Sequence, residues 1–343
     1  MMKNVKKLFA ALLVTAMALA TLTACGSKTE TPAEDSSSDN SGDSAATTTL
    51  DYPTKDITVV VPYGAGGTTD LCVRGVLDAV DKSVVTKNFI VSNVTGGSGL
   101  VGASQFVNAK SDGYTIGVLN CDLVLNNVLG NTDITSDQFV PLACIENDPY
   151  LFIVSKDAPY QTFEEFVDYA KAHPGEVTVA DTGAGAAPHL AYLALTQDLG
   201  LDLKTVSYDS AADSVVAVVI CEVQAAITAS GAAVGQMDGG NVVPLAVTSN
   251  ERLSTYPDVP AMGELYTELA DMQVNSWIMV AVKADTDPEI ISFLQDAFAP
   301  AAVSDAYKAT QEGFFFQPVE EMSNEDMLNF VAAQHSYYES LLK

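Results

Sequence analysis

From Thr58 the chain runs β-favouring without alternation to Val61, then meets Pro62 and the bare loop Gly64-Ala65-Gly66-Gly67. An unbroken run of this kind predicts a strand buried on both faces, as in a parallel sheet. Proline ends its ladder because it has no N–H to donate. Thr68, Thr69 and Asp70 then stand as candidate N-caps of a helix through Leu71, Val76, Leu77 and Val80. The same grammar returns at residues 177–180, which lead into Asp181-Thr182-Gly183-Ala184-Gly185-Ala186-Ala187-Pro188-His189 and an apolar helix over 190–199. Strand, bare loop and helix start together aim free backbone N–H groups at an anion. The same residues also suit a tight turn that needs glycine only for its backbone angles. At one loop the two readings stand level; the duplication favours binding.

Further strands are predicted at 88–94, 114–119, 151–154, 205–208, 225–228, 243–248 and 275–282, the last holding Trp277, the only tryptophan. Gly96-Gly97-Ser98-Gly99 opens a helix through Val101, Phe106 and Val107. Thr162 and Glu165 form a capping box before the buried stripe Phe163, Phe166, Val167 and Ala170, and Pro174-Gly175 stops that helix. Asp209 or Ser210 caps a helix with Val215, Val216, Val219 and Ile220, and Asp287-Pro288 starts another. Ser323 caps a final helix over 324–342 that docks Leu328, Val331, Tyr338 and Leu342 on the body. Strands and helices alternate throughout, which predicts an α/β fold with mainly parallel sheets flanked by helices.

The N-terminus stands apart from this pattern. Lys3, Lys6 and Lys7 precede an apolar run over 8–22 that ends at Leu22-Thr23-Ala24-Cys25. A basic region, a short apolar region and a small-residue cleavage site make a signal peptide, and Leu-x-Ala-Cys before Gly26 resembles a bacterial lipobox, with Cys25 lipidated. Residues 26–51 are Ser, Thr, Asp and Glu with hardly a large apolar side chain, too polar to fold and suited to a tether. The remaining chain from Tyr52 suits two lobes better than one core.

Charge narrows the partners. The chain carries −28, and losing residues 1–24, with three lysines and no acid, takes it to −31. That excludes a phosphate-neutralising nucleic-acid face, and it leaves the lipid as the means of membrane attachment. An anionic ligand must then be held by local N–H dipoles against the general field. Cys72, Cys121, Cys144 and Cys221 form no CxxC pair and have no histidine at metal-like spacing, so they read as buried small hydrophobes. Gly97-x-Gly99-x-x-Gly102 fits the dinucleotide fingerprint, and Asp122 lies near the expected ribose-binding acid. Close helix–strand packing explains the same small residues, and an exported protein meets little nicotinamide cofactor. No nucleophile motif accompanies His173, His189 or His335, so His189 reads as a helix-start donor to a ligand or a loop carbonyl.

Taken in order, these residues resemble the extracytoplasmic solute receptors of tripartite tricarboxylate transporters, the Bug/TctC-like substrate-binding proteins. The match is carried by Val61-Pro62-Tyr63-x-Ala65-Gly66-Gly67-x-x-Asp70, Gly96-Gly97-Ser98-Gly99-x-x-Gly102-Ala103 and Lys110-x-Asp112-Gly113-Tyr114-Thr115. It continues through Gly183-x-Gly185-x-x-x-His189-Leu190, Leu245-Ala246-Val247-Thr248-Ser249 and Arg252-x-x-x-x-Pro257-Asp258-Val259-Pro260. The resemblance implies a two-lobed, Venus-flytrap protein of the periplasmic-binding type, with no catalysis, cofactor or metal. It implies a monomer, lipid-anchored outside the cell membrane, that holds a small di- or tricarboxylate or acidic amino acid for a membrane permease. A receptor that feeds a sensor kinase would have the same sequence pattern. The expected lobes are 52–148 with 276–343, and 149–275, crossing near 146–151 and 274–277. The expected ligand-binding set is Tyr63, Gly64, Ala65, Gly66, Gly67, Thr68, Thr69 and Asp70 in the first loop, with Asn120. Gly183, Gly185, Ala186, Ala187 and His189 join it from the second loop, and Tyr208 and Asp209 as walls. The chain departs from the family at Tyr208-Asp209-Ser210, where many members have Tyr-Lys-Gly, and at Thr95-Gly96, where Pro-Gly is usual.

Overall fold

The computed structural model describes residues 50–208 and 210–343; Cys25, the leader and nearly all of the acidic tether lie outside the described residues, as does Asp209. Three parallel strands begin the first sheet: β1 (Ile57–Val61), β2 (Phe89–Asn93) and β3 (Thr115–Asn120). Helices α1 (Thr68–Ala79) and α2 (Leu100–Val107) cross between them. The chain then forms α3 (Cys121–Val128) and the long β4 (Phe139–Pro149).

Immediately after β4 the chain starts β5 (Leu151–Ser155), a strand of the second sheet. There follow α4 (Phe163–Ala172), β6 (Thr178–Asp181), α5 (Pro188–Gln197), β7 (Lys204–Ser207), α6 (Ala211–Val219), β8 (Ala225–Thr228), α7 (Ser230–Asp238) and β9 (Val242–Val247). The short α8 (Met262–Leu265) precedes β10 (Asn275–Lys283), which rejoins the first sheet. Helices α9 (Pro288–Ala302), α10 (Asp305–Gly313) and α11 (Asn324–Leu341) complete the chain.

The two five-stranded sheets have the orders β2-β1-β3-β10-β4 and β7-β6-β8-β5-β9. They share one plan. In each, a central strand lies between two parallel partners, and two further strands add antiparallel on one side. The sheets are therefore mixed, where the apolar runs predicted mainly parallel ones. Strands β5 and β10 are buried almost throughout, so their sequences show the same unbroken runs that parallel strands do. Order reverses beside β1 in one sheet and beside β6 in the other, and ligands of open α/β sheets bind outside the carboxyl ends of strands at such switch points. The two bare loops follow these two strands.

The core is continuous from Ile57, Val59 and Val61 through Phe106 to Trp277 and Tyr338. Trp277 is fully buried, packs edge-on to Phe330 and donates Nε1–H to Tyr338 Oη at 3.2 Å. On α11 the buried positions are Met327, Val331, Gln334, Tyr338 and Leu341, and Leu328 faces solvent. The docking stripe is thus turned by one position from the predicted one, because a glutamine lies inside it, accepting from Tyr338 Oη. On α6, Val215 and Val218 are buried while Val216 and Ile220 are exposed. All four described cysteines are free; Cys72, Cys121 and Cys144 are buried as read, and Cys221 is exposed. Among the described residues no helix is long and apolar enough to cross a membrane.

Gly102 explains part of the dinucleotide-like spacing. A Cβ there would stand 2.7 Å from Pro62 Cα and 2.9 Å from the Val94 carbonyl. The residue is small so that α2 can press on the strand end that leads to the first loop. Gly102→Ala should cost about 1–3 kcal/mol through overpacking, measured by urea denaturation; an unchanged midpoint would show that this approach is not tight.

Candidate functional site

Helix α1 begins without a side-chain cap. Its N-cap is Gly67, in extended conformation, not Thr68, Thr69 or Asp70. The first amides of a helix have no intrahelical acceptor, and here no side chain takes their place, so the α1 start keeps open donors. Asp70 instead turns inward and is 2% exposed. Its Oδ2 accepts from Gly66 N at 2.8 Å and Arg74 Nε at 2.9 Å, and its Oδ1 from Asn93 Nδ2 at 2.9 Å. Burial works against its charge, but the Arg74, Gly66 and Asn93 bonds win and hold its carboxyl below the usual range. Asp70 is a strut under the loop. Gly66, left-handed at φ 80°, gives its N–H to that strut, and Gly67 N–H goes to Gly64 O at 3.2 Å.

Tyr63 leans the other way. Its hydroxyl donates to Asp122 Oδ2 at 2.8 Å and accepts from Asn120 Nδ2 at 2.7 Å. Burial, with the Asp122 charge beside it, pushes the phenol well above its ordinary value, so it stays a donor. Asn120 also caps α3, accepting from Leu123 N at 3.2 Å. It positions Tyr63 and is not itself on the cavity wall.

The second loop is organised by Asp181, which is fully buried. Its Oδ1 accepts from Gly183 N (2.9 Å) and Ser207 Oγ (3.0 Å); its Oδ2 accepts from Thr205 Oγ1 (2.8 Å) and lies 2.6 Å from His189 Nδ1. His189 is therefore occupied by a carboxylate of its own sheet and does not reach the cavity. Ala187 N–H is also taken, by Asp122 Oδ1 at 3.2 Å, and the Gly185 carbonyl accepts from Asn126 Nδ2 at 3.0 Å. Through Asp122 and Asn126, helix α3 of the first sheet ties down the loop that follows β6 in the second.

Between the two sheets lies a cavity of about 710 Å³. The first loop lines it with Tyr63, Gly64, Ala65, Gly67, Thr68 and Thr69, and the second with Thr182, Ala186 and Pro188. The sequence reading had missed Ser98, Asp122, Tyr150, Ser210, Ala211, Ile227, Thr228, Ala229 and Ser276, which complete the wall. Gly66, Asp70, Asn120, Gly183, Gly185, Ala187 and His189 stand behind the lining as supports. Tyr208 is elsewhere: with Val206 it packs on the second sheet's own core and borders a separate groove with Asp213 and Ile220. Side chains alternate along a strand, so Thr205 and Ser207 turn to Asp181 while Val206 and Tyr208 take the other face.

No Lys, Arg or His is among the described lining residues, and Asp122 is the one carboxylate among them. Burial raises the Asp122 carboxyl above its ordinary value, against the lowering bonds from Tyr63 and Ala187. Among the described residues no group of three or more His, Cys, Asp or Glu is placed to hold a metal ion. The arrangement offers neutral dipoles, hydroxyls and open helix-start amides: the chemistry of reversible anion capture.

Comparison with known proteins agrees with this geometry. Residues 73–343 match the family described as "Tripartite tricarboxylate transporter family receptor". A UPF0065 protein of Bordetella pertussis is 27% identical over 286 residues, covering 82% of this chain and 87% of its own. A TctC solute-binding protein from Polaromonas superposes with a TM-score of 0.72 at 28% identity, over 85% of this chain and 99% of that one. An R. palustris protein solved with adipate gives 0.74 at 25% identity, over 85% and 97%.

Proposed function

The chain belongs to the tripartite tricarboxylate transporter receptor family, and from that premise we propose that it is an extracytoplasmic binding lipoprotein that captures a small carboxylate in the cavity between its sheets and delivers it to a membrane permease of that transporter type. The observation that carries the reading is the uncapped start of α1, whose first residues Thr68 and Thr69 face a cavity with no basic side chain among its described residues. A hydrogen bond to a charged group contributes roughly 1.5–3 kcal/mol net. Three or four such bonds, only partly additive, reach about −8 kcal/mol, or micromolar affinity. The adipate seen in the R. palustris relative is a ligand of this kind. No catalytic group is needed for this work.

In this reading the lobes are residues 52–148 with 276–343, and residues 149–275. The chain crosses at 146–151, where β4 passes to β5 through Tyr150 alone, and at 274–277. Closure brings the second loop onto ligand held by the first. Cys25 carries the lipid, and residues 25–51 are the tether that sets the receptor off the outer face of the membrane.

Gly64→Glu tests the clamp. Gly64 lines the cavity, and a Cβ there meets nothing within 4 Å, so the variant should fold normally while placing a negative charge at the mouth. Calorimetry across mono-, di- and tricarboxylates and neutral sugars should find carboxylate binding in the wild type and a loss of at least about 100-fold in the variant, about 2.7 kcal/mol. Tight sugar binding, or full affinity in Gly64→Glu, would overturn the reading.

A further inference from the structure

We propose that Asp122 sets the ligand class: the cavity takes a small zwitterion, its carboxylate at the start of α1 and its ammonium at Asp122. This rests on the receptor reading above and narrows it.

Among the described residues the lining holds one carboxylate and no base, in a chain of net charge −28. A ligand with two carboxylates would find dipoles for the first, and for the second neutral hydroxyls with the like charge of Asp122 beside them. An ammonium group at the second position reverses that sign. Asp122 has room for it. An ionised carboxylate offers about four acceptor sites, and the close bonds, from Tyr63 Oη and Ala187 N, use one on each oxygen. Among the described residues the one other donor to it is the Cys121 thiol at 3.7 Å, a weak one.

A second observation lies on the opposite sheet. Thr228, at the end of β8, lines the same cavity, is 1% exposed, and its Oγ1 has no hydrogen-bond partner. A buried hydroxyl left unpaired costs stability unless something completes it, and a polar ligand in this cavity is placed to do so. Asp122 also ties the two sheets together through Ala187. An ammonium bound there neutralises the charge that α3 presents to the second loop.

The test uses matched six-carbon acids at pH 7 on the purified protein: hexanoate, adipate, 2-aminohexanoate and 6-aminohexanoate, with the corresponding four-carbon set. Calorimetry should show the better amino isomer binding at least about tenfold tighter than the diacid of its length, equivalent to about 1.4 kcal/mol. Asp122→Asn should erase that order or reverse it. If the wild type prefers the diacid while binding both, this inference fails and the receptor reading stands. If the preference survives in Asp122→Asn, the assignment to Asp122 fails. If neither set binds at all, the receptor reading falls and this one with it. Should Asp122→Asn not fold, the wild-type order decides alone.

Discussion

Asp181→Ala should lose about 3–5 kcal/mol of stability and cavity binding together. Four groups end on this one carboxylate: the Gly183 amide, the Ser207 and Thr205 hydroxyls, and His189 Nδ1. They come from the turn, from edge strand β7 and from the first turn of α5. Bonds of this kind contribute roughly 1.5–3 kcal/mol each, yet they do not add in full. Thr205 and Ser207 lie on exposed residues and can turn to water; His189 is mostly buried and cannot do so freely. The loop then loses the anchor that sets Thr182, Ala186 and Pro188 on the cavity wall. Asp181→Asn keeps the shape but turns an NH2 group toward donors, so it should fall between wild type and alanine. Burial opposes the charge of Asp181, but the His189, Gly183 and Thr205 bonds prevail and lower its carboxyl. A lowered acid stabilises the fold above its unfolded value and loses that effect as pH falls through the folded one. The Asp181 term therefore disappears only below about pH 4. Urea denaturation and calorimetry on the three proteins measure both losses. An alanine variant with wild-type midpoint and affinity would show that the Gly183–Ala186 turn holds the loop unaided.

Which parts of this design could be read from the sequence follows from what each residue does. The strand β1, its loop and α1 were legible because an unbroken apolar run, a proline and a glycine cluster each force one local geometry. The second loop followed by repetition. Strand β4 was not legible. Its run Phe139–Pro149 contains Pro141, Glu146, Asn147 and Asp148, which break the apolar signal. It is an edge strand, where proline is tolerated. Helix α3 was hidden because no loop separates it from β3; Asn120 ends the strand and caps the helix at once.

The site divides along the same line. Backbone geometry could be predicted, since glycine and proline report it directly. Side-chain destinations could not, where a polar residue had two uses. Asp70 was placed as a cap and is a strut; its position three residues into α1, with Gly67 already extended, sends its carboxylate back under the loop. Asp122 stands in sequence only near the place of a ribose-binding acid, a pattern that packing explains as well, yet it faces the cavity between Tyr63 and Ala187. Only the meeting of two sheets distant in sequence gives it that role. The alternation along β7 did carry the Tyr208 answer: with Thr205 and Ser207 turned toward Asp181, Tyr208 has to face away.

The largest pH effect should come from a pair that does not touch the cavity. Glu146 and Asp148, two positions apart on β4, share a face and are 1% and 4% exposed. No described Lys, Arg or His makes a salt bridge to either. Among the described residues Glu146 Oε2 accepts from the Cys72 thiol at 3.8 Å and its Oε1 is without a close partner, although the Ser276 side chain works to lower its carboxyl. Asp148 accepts the Gln317 amide at 3.1 and 3.2 Å. Burial, and then the Asp148 charge, pushes the Glu146 carboxyl up to about 8; burial takes Asp148 to about 7. Both folded values lie above the unfolded ones, so the folded chain binds these protons more tightly. The stability they contribute is complete below about pH 4 and is lost as pH rises through the folded values. One such group changes stability by about 1.4 kcal/mol per pH unit in that window. Counted as little more than one group, because the two repel, the pair should remove about 4 kcal/mol between pH 5 and pH 8. The lowered acids Asp70 and Asp181 act at lower pH; burial raises Asp122 and Asp198 as well, so the Glu146 share is read from the difference between the wild type and Glu146→Gln. Glu146→Gln removes the charge and keeps the shape. It should match the wild type at pH 5, exceed it by at least about 2 kcal/mol at pH 8, and flatten the slope between. Urea midpoints taken at each pH decide the matter: a wild-type curve that is level from pH 5 to pH 8 would mean that neither carboxyl is held protonated by the fold.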